Sequence, residues 1–104
     1  MASDDPELPD LQQADLDEAG LDALVRDLKA MATIHEVRVK HRAVGHAQAD
    51  PLSLEVAAAL LRRGRVHGVQ VFYSHRGTRW LDTLMRVQSG YRLVRLSPQM
   101  SGWQ

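Results

Sequence analysis

The feature that most constrains this chain is the stretch from Val69 to Leu96, where three runs of strand-forming residues are separated by glycine-containing turns. Val69, Val71 and Tyr73 alternate with Gln70, Phe72 and Ser74, a period of two rich in β-branched and aromatic residues. The second run, Arg79 to Val87, holds Trp80, Leu81, Thr83, Leu84 and Met85; the third is Tyr91 to Leu96. Gly77 and Gly90 each follow a polar residue and can adopt the positive φ that short hairpin loops need. The stretch reads as an antiparallel meander.

Its register follows from the loops. A three-residue loop closed by Gly77 with a bulge sets Phe72 opposite Trp80 and Val71 opposite Leu81. A two-residue Ser89-Gly90 turn sets Met85 opposite Val94 and Thr83 opposite Leu96. One face then carries Val69, Val71, Tyr73, Leu81, Thr83, Met85, Val94 and Leu96 and is expected to be the core side. The other carries Phe72, Trp80, Asp82, Leu84, Arg86, Leu93 and Arg95. A slip of one residue in the first hairpin would exchange the faces of the second strand.

Upstream, Leu21, Leu24, Val25 and Leu28 recur at helical spacing behind Asp15 or Asp17 as N-cap. From Thr33 to Ala43 the period returns to two, with His35, Val37, Val39 and His41 alternating with Glu36, Arg38, Lys40 and Arg42. Asp50-Pro51 reads as the start of a second helix through Leu52, Val56, Ala59 and Leu60, with Gly64 as its C-terminal stop. The order is α-β-α-β-β-β. The simplest packing is an α+β domain with a four-stranded, mostly antiparallel sheet and both helices on one face. Residues 1–14 read as an acidic flexible arm, 15–97 as one domain and 98–104 as a short tail containing Trp103.

Charge is the other loud signal. The net charge is zero, yet residues 1–22 hold eight of the thirteen acids and no Lys or Arg, leaving all thirteen bases and five acids to the rest. With no cysteine there is no disulfide, thiolate metal site or cysteine nucleophile. No basic, apolar leader is visible, and no apolar run reaches the roughly 18 residues of a membrane helix. A cytoplasmic protein is the expectation.

Candidate chemistry is thin. Of the five histidines, His35 and His41 share a strand face but stand ~20 Å apart at ~3.3 Å per residue, so one ion cannot bridge them. No motif calls for a metal or cofactor. Asp82 is the sole acid in the meander; beside Trp80, with Tyr73, His75 and Arg79 near in sequence, it could serve a small acid–base site. The plainer reading is a cross-strand ion pair with Arg95 or Arg38.

The apolar count favours a binding role. Two helices cover one sheet face, which leaves Phe72, Trp80, Leu84 and Leu93 on the other with Arg86 and Arg95, flanked by Arg38, Lys40 and Arg42. Such a patch marks an association surface. The expected function is thus a non-enzymatic accessory or adaptor protein whose sheet face meets a protein partner, homodimerisation included. The alternative is a nucleic-acid-binding module in which basic and aromatic side chains on that face hold phosphates and bases while the acidic arm competes. A small enzyme built on Asp82 and His75 is the third class.

Overall fold

A computed structural model of the chain describes residues 11–40 and 52–97. The elements run β1 (Leu11–Leu16), α1 (Glu18–Met31), β2 (Thr33–Lys40), α2 (Leu54–Arg62), β3 (Gly68–His75), β4 (Thr78–Val87) and β5 (Gly90–Leu96). The strands form one sheet in the order β1-β5-β4-β3-β2, and every neighbouring pair is antiparallel. The α+β class and the two helices follow the sequence pattern; the sheet has five strands, not four. The additional strand, β1, comes from the segment whose acids and prolines suggested an arm running into the first helix. It pairs with β5 from Leu11↔Leu96 to Leu16↔Tyr91.

Both helices start at side-chain caps. Asp17 accepts a hydrogen bond from the Gly20 amide at 2.7 Å, and Ser53 accepts one from the Val56 amide at 3.1 Å. Each bond satisfies a donor that the first helical turn leaves free. The second cap is Ser53, so α2 begins a few residues after Asp50-Pro51, which lie outside the described residues. Gly64 ends α2 at φ 72°, as its position suggests.

The first hairpin is where sequence and structure part. Its loop is the two residues Arg76 and Gly77, both at positive φ (55° and 81°), and His75 pairs with Thr78. Tyr73 therefore stands opposite Trp80 and Val71 opposite Asp82. This is a slip of one residue from the bulged loop, and it exchanges the faces of β4 and β5 relative to β3. In the second hairpin Val87 pairs with Gly90, so Met85 faces Arg92 and Thr83 faces Val94. That shift is two residues and leaves the faces unchanged.

The core is built from α1 and α2 against one face of the sheet. Leu21, Leu28, Leu54, Ala57 and Leu61 of the helices meet Val66, Val69, Val71, Tyr73, Leu84, Tyr91 and Leu93. Leu16, Val37, Val39 and Trp80 pack at its margin. Leu84 and Leu93, expected on an exposed surface, are core residues because the slip turns them under the helices.

Candidate interface on the open sheet face

The opposite face of the sheet has no helix on it among the described residues, and cross-strand pairing arranges its side chains in level rows. One row runs Asp15, Arg92, Met85, Gly68, Lys40 from β1 across to β2. The next runs Gln13, Val94, Thr83, Gln70, Arg38. A third contains Leu96, Leu81, Phe72 and Glu36. Residues directly opposite each other in a ladder project to the same side. The middle strand β4 thus presents Leu81, Thr83 and Met85, with Phe72, Val94 and Leu96 on its neighbours. These six are half-buried, whereas Gln13, Asp15, Glu36, Arg38 and Lys40 on the outer strands are exposed. An apolar centre with a charged rim is the composition of a protein interface.

Toward β2 the face becomes basic and holds an open depression of about 630 Å³ whose walls include His35, Glu36, Arg38, Phe72, Arg79 and Leu81. The Arg38 guanidinium lies 5.1 Å from the centre of the Phe72 ring, within cation–π range, and donates to Glu36 at 2.7 Å. That bond is also the leading cause that lifts the Arg38 pKa. His35 sits at a bulge where the β2–β3 register shifts, and its Nε2 meets the Ser74 hydroxyl at 2.7 Å. On the other flank Arg92 donates to Asp15 at 3.1 Å.

Of the residues singled out from sequence, Phe72, Arg38 and Lys40 occupy this open face. Trp80, Leu84, Arg86, Leu93 and Arg95 lie on the helix-covered side, and Arg42 is outside the described residues. Leu81, Thr83, Met85, Val94 and Leu96, which were expected to form the core side, take their place.

Asp82 belongs to the covered side and is fully buried. Arg95, its partner in the β4–β5 ladder, donates to both carboxylate oxygens at 2.8 Å, and the Tyr73 hydroxyl donates to Oδ1 at 3.0 Å. These are the charge-assisted, bidentate bonds that a buried carboxylate requires. Burial first, then the Asp82 charge, raises the Tyr73 pKa well above the ordinary 10.0; the bonds to Asp82 likewise raise that of Arg95. Beside this triad a cavity of about 410 Å³ opens between α1 and the sheet, with Tyr73, His75 and Arg95 in its wall. His75 is held through Nδ1, 3.1 Å from the Met31 carbonyl oxygen.

At the other end of the covered side, Arg62 of α2 pairs with Glu18 and Asp22 of α1, and the Tyr91 hydroxyl donates to Glu18. The Arg86 guanidinium reaches the Arg62 carbonyl at the C-terminus of α2, where the helix dipole favours a cation. These groups tie the two helices to the sheet. Among the described residues no three His, Asp or Glu side chains gather as a metal site, and no helix is long and apolar enough to cross a membrane.

No protein-family model, curated protein or solved structure matches the chain.

Proposed function

We propose that this is a non-enzymatic accessory protein that works by docking another polypeptide on the open face of its sheet. The observation that carries this reading is the apolar centre of that face, made by Phe72, Leu81, Met85, Val94 and Leu96 on three adjacent strands. A contiguous patch of this kind, rimmed by charge, favours association over exposure to water. The chemistry of the covered side supports the same reading. Asp82 has its bonding capacity taken up by Arg95 and Tyr73 and acts as an internal ion pair.

A photo-crosslinking amino acid placed at position 81, on the centre of the face, and at position 56, on an exposed part of α2, tests the proposal in cells. The expected result is a discrete crosslinked polypeptide from position 81 and none from position 56. Equal crosslinking at both positions, or none at 81, would contradict it.

One observation favours a nucleic-acid reading: Arg38 stacks on Phe72 with Arg79 on the same depression and Lys40 farther along β2. Yet Phe72 is the one Phe, Tyr or Trp ring on this face among the described residues, since Tyr73, Trp80 and Tyr91 lie on the other side. Stacking platforms gain from successive rings. Binding to a single-stranded oligonucleotide that collapses steeply with salt would favour this second reading.

A further inference from the structure

Resting on the association face just proposed, we infer that its occupant is a second copy of this chain, packed sheet on sheet about a two-fold axis that runs along β4. The grid of rows sets the geometry. A two-fold axis parallel to the strands and centred above β4 keeps each row at its own level and exchanges β5 with β3 and β1 with β2. Every side chain then meets a counterpart that can be read from the pairing.

The matches are complementary in the first and third rows, while in the middle row Val94 meets Gln70 and Gln13 meets Arg38. Leu96 and Phe72 are both level with Leu81, so Leu96 of one copy covers the Phe72 ring of the other. Arg92 and Gly68 are both level with Met85, so the long Arg92 side chain lies over a position without one. Asp15 and Lys40 end that same row on opposite edges, so each copy's acidic edge meets the other's lysine. On the axis, Leu81, Thr83 and Met85 meet themselves. An isologous interface needs one surface to be complementary to itself in this way.

The size suits a weak dimer. Five strands ~4.8 Å apart and about seven residues of ~3.3 Å each give a face of roughly 450 Å² per copy. Two faces approach the ~1,000 Å² at which a specific interface becomes plausible, at the weak end of the range. Aligned sheets pack ~10 Å apart with their strands turned by ~30°, so the matches hold best at β4 and its two neighbours.

Thr83 provides the test because it is half-buried on the open face and faces itself across the axis. Thr83→Asp and Thr83→Lys are compared with the unaltered full chain by sedimentation equilibrium, each alone and mixed in equal amounts. Like charges directly opposed on the axis should raise the dissociation constant at least ~10-fold in either variant alone. The mixture should restore dimers, because Asp then meets Lys. Circular dichroism confirms that each variant is folded. Should either fail to fold, Thr83→Cys in this cysteine-free chain, treated with a short bis-maleimide, should give crosslinked dimer, and Val56→Cys should not.

A mixture that stays monomeric while the unaltered chain dimerises would overturn the β4 axis, as would variants that dimerise normally alone. A monomeric unaltered chain would overturn the second copy itself. In that case crosslinks from position 81 to a different polypeptide would leave the docking face standing, and their absence would remove it as well.

Discussion

Asp82 and Arg95 face each other across the β4–β5 ladder under the helices, the carboxylate wholly buried and joined to the guanidinium by two bonds of 2.8 Å. Removing Arg95 leaves the buried carboxylate without its counter-charge, though still bonded by the Tyr73 hydroxyl, which costs about 3–5 kcal/mol. Arg95→Met should therefore destabilise the domain by that amount in urea unfolding. Replacing the whole triad, with Tyr73→Phe, Asp82→Leu and Arg95→Met together, should cost less than Arg95→Met alone.

The same triad sets an alkaline limit. The folded pKa of Tyr73 lies above its ordinary value of 10.0, through burial and then the Asp82 charge. The folded state thus holds a proton that the unfolded chain gives up near pH 10. This contribution is complete below pH 10 and is lost as pH rises toward the folded pKa. Tyr91, raised by burial and then by its bond to Glu18, adds in the same direction. Stability measured by urea unfolding should fall above pH 10, and Tyr73→Phe should make that fall shallower.

The hairpins make opposite predictions at two positions. Arg76 holds φ 55° in a loop that favours Asn-Gly, so Arg76→Asn should stabilise the fold by roughly 0.5–1 kcal/mol. A Cβ at Gly90 would collide with the Leu16 carbonyl oxygen of β1. Gly90→Ala should cost roughly 2–3 kcal/mol, read by thermal unfolding.

The helix caps should behave independently. Asp17→Ala and Ser53→Ala each remove one capping bond and should cost about 1 kcal/mol. Their effects should add in a double variant, since they cap different helices.

The elements with strong periodicity, both helices and the strands from β2 to β5, are legible in the sequence because apolar spacing reports which side meets the core. β1 is not: from Gln12 to Asp15 this edge strand is exposed before the partly buried Leu16, which leaves almost no alternation to read. The face assignment turned on Arg76. An arginine at positive φ is uncommon, so its residue type does not announce the two-residue loop, whose single-residue slip exchanges Leu84, Leu93 and Arg95 with Leu81, Val94 and Leu96. The role of Gly90 was hidden for a related reason. It marks the close approach of β1 rather than the corner of a turn.

The central claim, that the apolar open face is an association surface filled by a second copy, is tested most directly by light scattering behind a sizing column. The full chain would be run at rising concentration in low and high salt, beside Leu81→Asp. A dimer mass that persists in high salt, reduced to a monomer mass by Leu81→Asp with its circular dichroism unchanged, is the predicted result. A monomer at every concentration, or a dimer that Leu81→Asp leaves intact, would contradict it.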